Sequence, residues 1–198
     1  LAIARAAAAH GIPFVLSTMA TVGLEQLARS VPGRLWFQLY VWRDRELMFR
    51  LLQRARAAGA TALLLTVDTA VAPKREYNIR NGFGMPLTPS VRNVVDVMLH
   101  PRWLAGVMLR QLLSQGVPTY RHYPDAMRPM LGRPAAAAVR LDERVCWRDL
   151  AELRRRWPGP LVIKGVLRVD DARRAVEAGV DGIVVSTHGG RNLDGAPS

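Results

Sequence analysis

Val176-Glu-Ala-Gly179-Val-Asp-Gly-Ile-Val-Val-Ser186 holds the repeating unit of the fold in eleven residues. A helical stretch stops at a glycine, a short turn follows, and an apolar run ends on a hydroxyl residue seven positions after the glycine. The pattern recurs at Arg56-Ala-Ala-Gly59-Ala-Thr-Ala-Leu-Leu-Leu-Thr66 and at Ala6-Ala-Ala-Ala-His-Gly11-Ile-Pro-Phe-Val-Leu-Ser-Thr18. Glycine accepts the left-handed conformation that closes a helix. Uninterrupted apolar runs of this length suit strands buried on both faces. Leu35-Trp-Phe-Gln-Leu-Tyr-Val41 and Leu161-Val-Ile-Lys-Gly-Val166 bring the expected strands to five. Glu46–Ala58 and Asp170–Ala178 interleave apolar and charged residues at helical spacing.

Strands alternating with helices imply an α/β fold with a parallel sheet and right-handed crossovers. A (β/α) barrel and an open doubly wound sheet both satisfy that pattern. The polar residues favour the barrel. Ser17, Gln38, Tyr40, Thr66, Asp68, Lys164, Ser186 and His188 fall within or at the C-terminal ends of the apolar runs, the face on which barrel enzymes build their sites. No G-x-G-x-x-G follows a strand, which weakens the dinucleotide-binding alternative. A closed barrel needs eight strands and about 250 residues. The 198 residues are therefore expected to form an incomplete (β/α)8 TIM barrel, a piece of a longer chain lacking one strand before Leu1 and two after Ser198.

Apolar residues make up 49% of the chain and charged residues 22%, which excludes intrinsic disorder as the main state. Cys146 is the only cysteine, so no internal disulfide forms, and a reducing intracellular setting fits. No signal peptide is recognisable. The early uncharged stretch Ala6–Leu24 is broken by His10, Gly11, Pro13, Ser17 and Thr18 and makes a poor membrane span. The net charge of +12 would attract nucleic acid, anionic membranes or acidic small molecules. No nucleic-acid module accompanies it, and nucleic acid is not an expected partner.

Residues 85–140 break the strand–helix rhythm. The segment carries seven arginines against Asp96 and Asp125, seven prolines, and the apolar patch Trp103–Leu109. An interruption this long reads as an insertion loop within the one domain. Two roles are open for it: lying on an anionic membrane, or packing its apolar part on the barrel.

The chemistry gathers around Ser186-Thr-His188-Gly-Gly-Arg191. Two glycines beside a histidine at a strand end permit close approach of a ligand. Asp68, ending another strand on the same face, would orient the imidazole and favour its protonated form, as suits a general base. Arg75 and Arg191 could grip a carboxylate in two-point geometry. Lys164 interrupts a buried run, and a fixed cation there suits an electron-rich anionic cofactor. Tyr40 offers a phenol at its strand end. Blander roles exist for each: a structural histidine, a helix-capping aspartate, solvated arginines and a core tyrosine.

In combination these residues resemble the FMN-dependent α-hydroxy-acid dehydrogenases and oxidases, which include L-lactate dehydrogenase, glycolate oxidase and (S)-mandelate dehydrogenase. The resemblance rests on Pro13-Phe-Val-Leu-Ser-Thr18, Trp36-Phe-Gln-Leu-Tyr40, Leu65-Thr-Val-Asp68, Arg75-Glu, Arg80-Asn-Gly-Phe83, Ile163-Lys-Gly165 and Asp181-Gly-Ile-Val-Val-Ser with His188-Gly-Gly-Arg191. Leu99-His-Pro-Arg-Trp103 and the Val71–Glu76 stretch look most like the membrane-associated mandelate dehydrogenase branch.

The resemblance implies that Ser17, Gln38, Thr66, Lys164 and Ser186 contact FMN. It implies that Tyr40, Arg75 and Arg191 hold a small 2-hydroxy acid, that His188 is the general base, and that Asp68 is its partner. The product would be a 2-oxo acid, with oxygen, a quinone or a cytochrome as electron acceptor. A homo-oligomer is implied, cytoplasmic or peripheral on the inner face of the cell membrane, with 85–140 as the membrane contact.

Four positions depart from the family pattern: Thr187 where asparagine is usual, Asn192 for glutamine, Asn78 for aspartate and Pro73 for glycine. The family's first strand, an early substrate tyrosine and its C-terminal phosphate site have no counterpart in these residues. The isolated chain is accordingly expected to bind FMN weakly and to be inactive. Competing readings are a non-redox or inactive flavin- or phosphate-binding barrel, and a basic membrane- or nucleic-acid-binding module.

Overall fold

The computed structural model describes residues 1–69, 75–84, 90–125 and 140–192. Among them, β1 (Phe14–Ser17), β2 (Leu35–Tyr40), β3 (Ala62–Thr66), β4 (Leu161–Lys164) and β5 (Gly182–Val184) form one all-parallel sheet in chain order. Helices α1 (Ala2–Ala9), α2 (Leu24–Ser30) and α3 (Arg45–Ala57) alternate with the first three strands. The long connection from β3 carries α4 (Glu76–Arg80), α5 (Val91–Leu99), α6 (Pro101–Trp103), a π-helical turn (Leu104–Leu109) and α7 (Arg110–Gln115). It ends in α8 (Trp147–Arg156), which leads into β4, and α9 (Val169–Glu177) joins β4 to β5.

Local chemistry explains the boundaries. Asp44 caps α3 by accepting from the Leu47 N–H at 2.9 Å, with Glu46 in the first turn and Arg54 and Arg56 in the last, matching the helix dipole. The three repeat glycines, Gly11, Gly59 and Gly179, all adopt positive φ. Each sits in the same terminating hydrogen-bond pair, for α3 Gly59 N–H to Arg56 O and Ala60 N–H to Ala55 O. That arrangement satisfies the last helical carbonyls and turns the chain into the next strand.

Alternation along the strands sorts two faces. Leu16, Leu35, Phe37, Leu39, Leu63, Leu65, Leu161 and Ile163 are buried in one cluster with Leu24, Leu27, Met48, Leu51, Leu52, Leu150 and Leu153 of the helices. The opposite, concave face is more open: Trp36, Leu64 and Val162 are half-buried, and Val15 and Val184 are each 39% exposed. Burial on both faces, expected from the uninterrupted apolar runs, therefore holds on the helix side only. Five strands of a barrel leave the concave side without the strands that would face it.

The insertion is not a bare loop where it is described. Residues 90–115 are largely helical, and α5, α6, the π turn and α7 bury no residue. Val91, Leu99, Leu113 and Trp103 are exposed, so the apolar part does not pack on the barrel among the described residues. Both ends are nevertheless anchored. Tyr123 stacks edge-on against Trp42 at 5.1 Å, and Arg121 N–H donates to Ala20 O. On the return, Leu141 bridges Trp42, while Arg45 pairs with Asp142 (2.8 Å) and Asp149 (3.0 Å). Pro86, Pro89, Pro129 and Pro134 lie outside the described residues. No helix of the described residues is long and apolar enough to cross a membrane.

The two faces respond differently to truncation. Phe37→Ala, in the fully buried row, should cost about 3–5 kcal/mol in urea unfolding. Val15→Ala on the open face should cost less than about 1 kcal/mol.

Candidate active site

Parallel register sets a polar row across the C-terminal ends of the first four strands. Ser17 pairs with Gln38, Tyr40 with Thr66, and Thr66 with Lys164. Ser17 Oγ donates to Gln38 Oε1 (2.9 Å), and Gln38 Nε2 donates to Thr66 Oγ1 (3.0 Å). Thr18, fully buried, ties the row down: its hydroxyl donates to Gln38 O (2.7 Å) and accepts from Tyr40 N–H (3.2 Å). The Gln38 amide orientation follows, because the Thr18 N–H can only donate and lies 3.3 Å from Oε1, which leaves Nε2 to donate to Thr66.

Asp68 is the centre of the second group. Lys164 Nζ donates to its Oδ2 at 2.8 Å, and His188 Nδ1 lies 2.8 Å from its Oδ1. The carboxylate is only 9% exposed, against 21% for Lys164 and 25% for His188. Lys164 Nζ also stands 3.4 Å from His188 Nδ1. An ammonium has no lone pair to accept with, and the shorter contact to a carboxylate places the proton on Nδ1. The 3.4 Å approach is therefore two donors converging on one acceptor, not a bond between them. Nε2 is left as the basic nitrogen of the ring.

Three features hold this geometry. Gly165 has φ +102°, and a Cβ there would lie 2.5 Å from Asp68 Cβ and 2.9 Å from Asp68 N. Only glycine allows the β4 end to approach so closely. Asn192 Nδ2 donates to Asp68 O at 3.0 Å, drawing the final loop back to the same residue. His188 is the one non-glycine with positive φ among the described residues, at 57°, and its N–H is accepted by Ser186 Oγ at 3.0 Å. A left-handed non-glycine costs on the order of 1–2 kcal/mol, and such outliers concentrate at functional sites.

Tyr40 is half-buried. Burial first, then the Asp68 charge, pushes its phenol above the ordinary tyrosine value, while the Arg75 guanidinium opposes that shift. All three thus act in one electrostatic field. The phenol is a neutral donor at neutral pH.

The structure gathers Ser17, Gln38, Tyr40, Thr66, Asp68, Lys164, Ser186 and His188. Arg75, at the N-cap of α4, and Arg191, after the 3-10 turn His188–Gly190, are exposed, and neither makes an ion pair among the described residues. Thr187 precedes that turn, half-buried, and Asn78 lies within α4. Pro73 lies outside the described residues. The sequence pattern gave no sign of the work of Thr18, Gly165 and Asn192, although Thr18 and Gly165 occur in the quoted motifs and Asn192 among the departures from the family pattern. A cavity of about 440 Å³ lies on the helix-facing side, lined by Leu65 and Ile163 with Leu150 and Trp147; Thr66 and Gly165 border it, but Tyr40, Asp68, Lys164 and His188 do not.

The polar row fits FMN. Beyond the internal bonds, the Thr66 hydroxyl proton, the second Gln38 amide proton and the Lys164 ammonium remain as donors, a set suited to a ring system rich in carbonyl and nitrogen acceptors.

Fold and donor set together suit a flavin-binding barrel. The chain belongs to the FMN-dependent dehydrogenase family, whose model matches residues 1–198. It is 44% identical over 197 residues to the L-lactate dehydrogenase of Xanthomonas campestris pv. campestris (strain B100), covering 98% of this chain and 50% of that protein. A crystal structure of the monotopic membrane protein (S)-mandelate dehydrogenase superposes with a TM-score of 0.85 at 37% identity, covering 100% of this chain and 52% of that one. A soluble mutant of the membrane-associated (S)-mandelate dehydrogenase from Pseudomonas putida gives 0.70 at 35% identity, covering 100% and 48%. The chain spans about half the length of the curated relatives it matches.

Gly165→Ala should force Asp68 away from the β4 end. The expected result is a loss of about 1–3 kcal/mol in denaturant unfolding together with weakening of the Nδ1–H signal of His188 in ¹⁵N spectra. An unchanged His188 signal would show that Asp68 tolerates the added methyl.

Proposed function

We propose that this chain carries the reacting centre of an FMN-dependent dehydrogenase or oxidase of (S)-2-hydroxy acids, of the mandelate or L-lactate type. The observation that carries the reading is the 2.8 Å contact between His188 Nδ1 and Asp68 Oδ1, from which the tautomer follows. With Nδ1–H committed to Asp68, Nε2 is the nitrogen that takes a proton from the bound hydroxy acid. The Asp68 carboxylate favours the resulting imidazolium. Arg75 and Arg191 hold the substrate carboxylate, and exposed guanidiniums that make no ion pair among the described residues suit that two-point grip. The Tyr40 phenol, kept neutral, donates to a substrate oxygen. FMN, held along Ser17, Gln38, Thr66, Lys164 and Ser186, would supply the capacity to accept the two electrons and the second hydrogen that the acid loses in becoming its 2-oxo product. The Lys164 ammonium stabilises negative charge arising beside it.

The exposed helices support a membrane contact as well. Val91, Met98, Leu99, Trp103 and Leu113 share the segment with Arg92, Arg102 and Arg110. Apolar side chains flanked by arginines suit an anionic lipid surface.

Two measurements test these readings. In the full-length protein loaded with FMN, anaerobic addition of mandelate or lactate should bleach the flavin absorption. His188→Gln should retain the yellow colour and slow bleaching by about 10²–10⁴-fold, and bleaching at the wild-type rate would remove His188 from its role. The protein should also sediment with vesicles containing phosphatidylglycerol. Replacing Val91, Leu99, Trp103 and Leu113 by serine should abolish sedimentation, and equal pelleting would locate the contact elsewhere.

A further inference from the structure

His122 is the only deeply buried imidazole among the described residues, 2% exposed, and none of the chemistry above uses it. It belongs to Tyr120–Tyr123, where the insertion folds back over the end of β1. Its Nδ1 lies 3.1 Å from Ser17 O and 3.2 Å from Thr18 O. Both carbonyls can only accept, so Nδ1 carries the proton and donates to the pair. Nε2 is buried with no hydrogen-bond partner among the described residues. The ring stands edge-on to Phe37 at 5.5 Å. Burial and the Arg54 guanidinium hold this histidine below its ordinary value, against the opposing carbonyls and Glu25, so the ring is neutral and Nε2 is a bare lone pair. An unsatisfied buried nitrogen is costly, and it persists here on a ring whose other nitrogen grips two consecutive carbonyls.

Those carbonyls end β1, next to the side chains that build the polar row. Ser17 Oγ donates to Gln38 Oε1, Thr18 Oγ1 donates to Gln38 O, and Gln38 Nε2 donates to Thr66. One continuous path of hydrogen bonds therefore runs from the insertion to the row. We propose that His122 is a positioning residue for FMN binding: it fixes the Ser17–Thr18 backbone, and through it the Ser17, Gln38 and Thr66 groups that face the cofactor. The insertion thereby sets the shape of the cofactor row from a position 105 residues away in sequence. The proposal rests on the reading of that row as the flavin contact.

The test compares His122→Asn, which keeps an N–H at a similar distance from the backbone, with His122→Leu, which fills the space without a donor. In the full-length protein, the Kd for FMN is measured by quenching of flavin fluorescence and the melting temperature by calorimetry without FMN. The leucine variant should bind FMN about tenfold or more weakly, while the asparagine variant stays near wild type. The leucine variant removes the orphaned nitrogen but takes the donor from the Thr18 carbonyl, and it should still melt in one cooperative transition well above the temperature of the FMN titration, so that its lost affinity is not unfolding. Wild-type affinity in the leucine variant, or equal weakening in both, overturns the positioning role. Long-range ¹H–¹⁵N spectra of the FMN-free protein give a second readout. They should show His122 protonated at Nδ1 alone, and an Nε2–H tautomer overturns the proposal without reference to flavin. A wild-type protein with no affinity for FMN would instead overturn the reading of the row.

Discussion

The site depends on one carboxylate shared by two cationic or proton-bearing groups. Asp68 accepts from Lys164 on one oxygen and from His188 on the other. Each group needs that carboxylate for a different reason. A half-buried ammonium without an anion is poorly solvated, and an imidazole without an acceptor on Nδ1 has no preferred tautomer or orientation. One residue at the end of β3 thereby sets the charge beside the expected cofactor and the direction of the basic nitrogen. The missing Cβ of Gly165 is the steric condition for this arrangement, because any larger residue would occupy the position of Asp68.

Around that centre the structure divides its labour between two sheet faces. The helix-facing row supplies the stability: Phe37, Leu39, Leu63 and Leu161 are fully buried against α2, α3 and α8. The concave row carries the polar groups proposed for the chemistry and leaves Val15 and Val184 partly exposed. Polar side chains such as Gln38 and Thr66 can be buried there because they satisfy one another across the register. The insertion joins this scheme through its ends. Tyr123, His122 and Leu141 grip Trp42 and the end of β1, while the exposed helices between them remain clear of the sheet.

The strands, the helices between them and the glycine stops were legible because they obey local rules. The expected helices over 46–58 and 170–178 form one residue earlier, at 45–57 and 169–177. That Ser17, Gln38, Thr66 and Lys164 come together was also legible, since each falls at or near the C-terminal end of a strand and parallel pairing brings those ends together. Helix formation within the insertion was not, because its apolar residues have no core to pack on and give a pattern without an evident burial partner.

Residue order along the chain thus determined the incomplete parallel barrel, the five strands and the set of side chains brought to its C-terminal mouth. The tertiary structure decided what those side chains do to one another. That Asp68 bridges Lys164 and His188, that Gly165 must lack a side chain, that Asn192 reaches the Asp68 backbone and that His122 holds the Ser17 and Thr18 carbonyls all depend on contacts between residues from about 100 to more than 120 positions apart. Local propensity and periodicity act over a few residues. Contacts at such separations exist only after the strands have paired and the insertion has folded back.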